Sequence, residues 1–198
     1  MTRSFLFVLG SSRRDGNTEL LARKAAEQLP ADTEQRWLHL DDHPLPDFDD
    51  LRHDERHARA RVVPENTHES LLLDATLAAT DIVLASPLYW YSVSATTKRY
   101  LDFWDAWLEV PGLDFKEKMQ QRTLWGVTAL AHPEEEAADP LIGTLRYSAA
   151  YFPMRFGGVL LGNGTRPGQV LDDDAALARA KTFFHREPEV ARFPFATQ

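Results

Sequence analysis

Apolar residues in this chain fall into two kinds of stretch that alternate: short unbroken blocks, and longer segments with helical spacing. Ser4-Phe5-Leu6-Phe7-Val8-Leu9 is a β-prone block with no polar residue after its first. That is the pattern of a strand buried on both faces of a parallel sheet. Leu21, Ala25 and Leu29 then recur at helical spacing until Pro30 stops the run. Residues 35–40 predict a second strand, 68–80 a helix, and 81–86 the clearest strand of the chain. A strongly aromatic helix is expected over 94–108, a strand over 122–129, a helix over 140–152 and a strand over 156–161. The last helix is expected to run from Asp172, read as an acidic N-cap, to Phe184. This alternation predicts the α/β class, a doubly wound five-stranded parallel sheet with helices on both faces. No internal repeat or linker composition interrupts it, so residues 1–198 are expected to form a single domain.

One segment breaks the rhythm. Residues 41–67 are dense in Asp, His, Arg and Pro, and a loop this long inside a compact domain is usually functional. A charged lid is the expectation. Its His53-Asp54-Glu55-Arg56-His57 resembles a zinc-protease helix at first glance. That motif needs a glutamate directly after the first histidine, where Asp54 stands, so no metal site is assigned.

The aromatic helix carries a second expectation. Leu101, Trp104 and Leu108 fall on one side and suit the sheet, while Tyr100, Phe103 and Trp107 fan out beyond them. They widen the apolar arc to about 160°, more than the roughly 100° of a single buried stripe. An exposed aromatic patch of that kind marks an interface, so a homo-oligomer, a dimer through this helix, is expected. The alternative is cover by residues 109–121 of the same chain.

Composition narrows the classes. The chain has 198 residues, enough for a substantial core, with 43% hydrophobic and 26% charged residues. A net charge of -8 without a concentrated basic face argues against nucleic acid. There are no cysteines, which removes disulfides, thiolate nucleophiles and cysteine-bound clusters. No apolar stretch suits a signal peptide or a bilayer span, so no membrane insertion and a cytoplasmic location are expected.

Candidate chemistry sits in two loops. Gly10-Ser11-Ser12-Arg13-Arg14-Asp15-Gly16-Asn17-Thr18 joins the first strand to the first helix. It offers hydroxyls, backbone donors and arginine at the positive end of a helix dipole, which suits a phosphate. The Gly-Lys-Ser/Thr ending of a P-loop is absent, and so are the glycines that admit a pyrophosphate. One terminal phosphate is what remains. Alone, the loop reads equally as a polar turn before a capped helix.

Ser86-Pro87-Leu88-Tyr89-Trp90-Tyr91-Ser92-Val93-Ser94 follows the third strand. With strand order 2-1-3-4-5, ligands bind at the switch point between strands one and three, outside their carboxyl ends. The two loops would face each other there. A phosphate grip opposite a flat aromatic wall describes a site for FMN, whose large planar ring prefers apolar aromatic cover with hydrogen bonds at its edge. Three adjacent aromatics also suit a core or a dimer contact, but their Ser-Pro and Ser-Val-Ser flanks favour a binding loop.

These residues resemble the flavodoxin-like NAD(P)H-dependent FMN reductases. The first loop is similar to that family's G-S-P-R-x-x-G-N-T pattern and the second to its P-x-Y-W/Y, and the resemblance covers nearly the whole chain. Gly157-Gly158, Gly162 and Pro167-Gly168 before Asp172 are also similar, with less specificity. The resemblance implies that Ser11, Arg13, Asn17 and Thr18 hold the phosphate and that Pro87, Leu88, Tyr89, Trp90 and Tyr91 line the flavin. It implies an FMN-dependent oxidoreductase with NADH or NADPH as co-substrate, passing hydride from the nicotinamide to flavin N5 and on to a quinone-like or other small acceptor. The cofactor carries that chemistry, so no catalytic side chain is assigned. Ser12 departs from the usual proline, and the region after strand two has no cysteine for the iron–sulfur cluster some relatives hold there. A third flavin-contacting loop is expected at 129–134, where His132 reads as a surface residue. Two competing readings are a flavodoxin-type electron carrier, which the acidic charge suits, and the same fold without flavin.

Overall fold

The computed structural model of the chain describes residues 3–50 and 61–195. Five strands form one parallel sheet: β1 (Ser4–Leu9), β2 (Glu34–His39), β3 (Asp81–Ala85), β4 (Thr123–Leu130) and β5 (Arg155–Asn163). Their order is β2-β1-β3-β4-β5, as expected. Phe7 pairs with Trp37 on one side and Val83 on the other, so β1 is an interior strand and its carboxyl end adjoins that of β3.

Among the described residues six α-helices cover the sheet: α1 (Asn17–Ala26), α2 (His68–Ala78), α3 (Ala95–Leu108), α4 (Phe115–Met119), α5 (Asp139–Tyr151) and α6 (Asp174–Ala180). Strand alternation divides the core. Phe5, Phe7, Val83, Trp125 and Val127 meet Leu21 and Ala25 of α1 and Ala176 of α6. Leu6, Val8, Ile82, Leu84 and Leu124 meet Leu72 of α2, Tyr100 and Trp104 of α3, and Leu145 of α5. Among the described residues no helix is long and apolar enough to cross a membrane.

Several expectations need correction. Asp173, not Asp172, caps α6, its carboxylate accepting from the Ala176 N–H at 2.9 Å, and α6 ends at Ala180 before a separate turn at Phe183–His185. The short α4 was not foreseen. Most consequentially, the aromatic arc of α3 is not an exposed patch. Tyr100, Phe103, Trp104 and Trp107 are all buried, and Trp107 is 0% exposed. The chain after α3 folds back so that Phe115 of α4 packs edge-on against Trp104 and Trp107, and Phe48 covers Phe103. The Trp107 indole N–H donates to Glu69 at 3.1 Å. Leu101 and Leu108, expected to face the sheet, lie half-buried at the edge of this cluster. The apolar arc serves an intramolecular core, so it offers no exposed aromatic patch for a dimer.

Candidate functional site

The loop after β1 starts with a close approach. Gly10 donates its N–H to Ala85 of β3 at 2.9 Å, and a Cβ on Gly10 would stand 1.8 Å from the Thr97 hydroxyl and 2.9 Å from that of Ser94. Its carbonyl accepts from Ser94 Oγ at 2.6 Å and from Thr96 Oγ1 at 3.1 Å. Ser94 is also the N-cap of α3, accepting from the Thr97 N–H, and its own N–H donates to Ser86 Oγ at 2.8 Å. One buried hydroxyl therefore joins the loop after β1 to the loop after β3. The two segments singled out in the sequence are brought together at the switch point.

Beyond Gly10 the backbone is shaped from below. Ser11, buried, accepts the Arg13 N–H at 3.1 Å. Asp15 sits in the left-handed region at φ 51° and donates its N–H to Glu19 Oε2 at 3.0 Å. Glu19 is buried in the first turn of α1, where Arg23 donates to its other oxygen from Nε and Nη2 at 3.0 and 2.6 Å. No side chain caps α1, whose N-cap is Gly16, so the N–H groups of its first turn stay available to an anion. The Thr18 hydroxyl, buried, accepts the Ala129 N–H at 3.3 Å and keeps its own proton for a further acceptor.

The four expected phosphate ligands take different positions. Ser11 and Thr18 line the loop. Arg13 is exposed, and its guanidinium has no partner among the described residues. The Asn17 side chain instead reaches toward the segment after β5, donating to Gly164 O at 2.7 Å and Arg166 O at 2.9 Å and accepting from the Val170 N–H at 3.4 Å. Asn17 is a brace, and only its backbone N–H is left for a ligand. The neighbouring Arg14 pairs with Asp42 beyond β2, and that hydrogen bond holds the Asp42 carboxyl below its ordinary range.

The aromatic loop is a strained turn. Tyr89 and Ser92 exchange backbone hydrogen bonds at 3.0 and 3.1 Å, leaving Trp90 at φ 49° and Tyr91 at φ 63°. Positive φ at both central positions is the type I′ pattern, which Asn and Gly adopt readily and bulky residues resist. Each such residue costs roughly 1–2 kcal/mol. The turn presents its rings outward: Trp90 is 93% exposed, Tyr91 54% and Tyr89 53%. Pro87 and Leu88 are half-buried beneath, with Leu88 packed on the core.

The third loop, after β4, is held by Gly164 N–H to Leu130 O at 2.8 Å and Asn163 Nδ2 to His132 O at 2.6 Å. His132 is exposed, and only its carbonyl is used. On the opposite flank, Arg99 of α3 secures the segment after β2 through Leu45 O at 3.1 Å and Asp47 at 2.7 Å. His53 and His57 lie outside the described residues. Sequence reasoning placed Ser86 and Ser94 at the ends of the aromatic loop without giving either a role of its own, and it passed over Glu19; all three shape the two loops.

A family model for NADPH-dependent FMN reductases matches residues 4–157, spanning both loops and four of the five strands. The chain belongs to that family. It is 29% identical over 184 residues to YwqN of Bacillus subtilis, whose assigned name describes an NAD(P)H-dependent FMN-containing oxidoreductase, covering 92% of this chain and 97% of that one. A solved structure titled Trp repressor binding protein from Bacillus subtilis superposes with a TM-score of 0.71 at 26% identity, covering 92% of this chain and 99% of that one. An FMN-dependent NADH-azoreductase of Bacillus anthracis, solved in complex with FMN, shares the fold at a TM-score of 0.60 and 13% identity, over 90% of this chain and 96% of that one. This family member is an NAD(P)H-dependent FMN oxidoreductase with a flavodoxin-like sheet.

Proposed function

We propose that the crevice between the loops after β1 and β3 holds FMN and passes reducing equivalents from NADH or NADPH to a quinone-like or other small acceptor. The observation that carries this reading is the Ser94–Gly10 hydrogen bond, which sets an uncapped helix N-terminus beside the exposed aromatic turn. The donor set fits a terminal phosphate: the Ser11 and Thr18 hydroxyls, first-turn N–H groups of α1 including that of Asn17, and the unpaired fork of Arg13. Pro87, Leu88, Tyr89, Trp90 and Tyr91 fit a planar ring, with apolar side chains below and strained rings standing free of the core.

When bound, FMN supplies the hydride chemistry between nicotinamide and acceptor. This chain's residues bind and orient. Arg13 and the loop donors neutralise the phosphate, the aromatic turn excludes water from one side of the ring, and Leu88 anchors that turn to the core. No side chain is required as an acid or base. Homo-oligomerisation belongs to the same reading, since the exposed Trp90 would gain cover from a second chain as well as from a ligand.

Purified protein tests this by its flavin content and by its oxidation of NADH or NADPH with and without a quinone. Acceptor-dependent turnover supports the reading. Tight FMN binding with no turnover assigns an electron carrier instead.

A further inference from the structure

A cleft of about 850 Å³ opens far from this crevice, at the amino end of β5. The crevice lies at the carboxyl ends of the same parallel strands, so the two are at opposite ends of the sheet. Three elements wall the cleft, and each contributes one arginine: Arg146 from α5, Arg155 from the start of β5, and Arg192 from the C-terminal segment. That volume is within the usual range for small-ligand sites, roughly 300–1,000 Å³.

The walls are fixed by backbone pairing. The C-terminal segment runs antiparallel to β5, with Phe156 N–H donating to Glu189 O at 3.0 Å and Ala191 N–H to Met154 O at 2.8 Å. Farther on, Phe193 and Phe195 close on Tyr147 of α5 at centroid separations of 6.0 Å each. Arg155 spends one N–H group on Pro188 O at 2.8 Å, which secures the same segment. Arg146 and Arg192 are exposed and have no hydrogen-bond or ion-pair partner among the described residues.

Charge identifies the ligand class. Three arginines against the one lining carboxylate, Glu189, leave an excess of two positive charges in a chain whose net charge is -8. Concentrating like charges without partners is unfavourable unless an anion compensates them. Guanidinium forks match phosphate oxygens in pairs, and a phosphate ester carries close to the two charges required near neutral pH. Phe156, Ile142 and Val190 add an apolar floor for an organic group. The overall acidity disfavours a nucleic acid in the same place.

We propose that this cleft is a second anion site, binding a small phosphate ester or pyrophosphate independently of the flavin crevice. Calorimetry on the FMN-loaded protein, whose own phosphate loop is filled, tests it with inorganic pyrophosphate and with ADP as probes. The expected result is saturable binding that weakens with added salt and drops at least about tenfold in Arg146→Ala combined with Arg192→Ala. FMN content and NAD(P)H turnover should be unchanged in that variant, because both side chains are exposed and remote from the crevice. Arg155 is left in place because it anchors the C-terminal segment. Tighter binding of ADP than of pyrophosphate would assign the apolar floor to the organic group, and equal binding would assign the site to phosphate alone. Absence of saturable binding of both probes, or binding unaltered by the double substitution, overturns the proposal. Arg192→Ala alone is the second variant, and retention of full affinity there removes the C-terminal wall from the site.

Discussion

Ser94 Oγ lies 2.6 Å from the carbonyl oxygen of Gly10 and donates to it across a sequence separation of 84 residues. The same oxygen caps α3, so one hydroxyl sets both the start of that helix and the approach of the two ligand loops. Ser94→Ala should cost roughly 0.5–2 kcal/mol of stability, the usual worth of an N-cap. It should also weaken FMN binding, because the Gly10 carbonyl then keeps only Thr96. Denaturant unfolding and FMN titration of the variant check both effects. Unchanged flavin affinity would reduce Ser94 to a helix cap.

Arg13→Ala removes the free guanidinium beside the phosphate loop. Hydrogen bonds to charged groups contribute roughly 1.5–3 kcal/mol, so FMN affinity should fall by about one to two orders of magnitude. Riboflavin, without a phosphate, should bind the variant and the parent alike. Calorimetry with the two flavins separates a phosphate ligand from a surface arginine.

The strained turn gives a prediction with opposite signs for stability and function. Trp90→Asn together with Tyr91→Gly supplies the residues that a type I′ turn favours. The flavin-free protein should gain roughly 1–2 kcal/mol as left-handed strain is relieved. FMN affinity and NAD(P)H turnover should both fall with the loss of the rings. Thermal unfolding of the flavin-free form and a flavin titration are the measurements, and a variant with less stability than the parent would contradict the strain assignment.

Acid sensitivity should come from His43. Burial, then the nearby His68 at a ring-nitrogen separation of 3.4 Å, lowers its pKa below the ordinary histidine value, with Arg36 adding to this and Asp42 opposing it. A depressed folded-state pKa means that the unfolded chain takes up the proton first. The stabilising contribution is therefore complete above about pH 6.5. It is lost as the pH falls through the lower folded-state value. His43→Gln should flatten the stability profile on the acid side of neutrality, and an unchanged profile would place the acid sensitivity elsewhere.

Strand blocks such as 4–9 and 81–86 were legible because burial on both faces leaves few alternatives to an unbroken apolar run. The parallel sheet with helices on both faces followed from the alternation of elements, and the two ligand loops from their chemistry. Packing between elements left no such trace. Trp107 reads as surplus on a helical wheel, yet Glu69 and Phe115 take it up from 38 residues before and a short helix after. Asn17 matches a phosphate-loop pattern, but its amide is spent on the backbone around Gly164, 147 residues away. Trp107→Glu, in place of dissociating a dimer, should destabilise the fold by burying an uncompensated charge beside Glu69. Thermal unfolding of that variant distinguishes the two outcomes.

The central claim is that the joined loops form an FMN site running NAD(P)H oxidation. Its most direct test is a titration of flavin-free protein with FMN and FAD, followed by NADH or NADPH and a quinone in the same cuvette. The account predicts one FMN per chain, much weaker FAD binding, and quinone-dependent nicotinamide oxidation over many turnovers. Equal affinity for FAD, or bound FMN that the nicotinamides do not reduce, would contradict it.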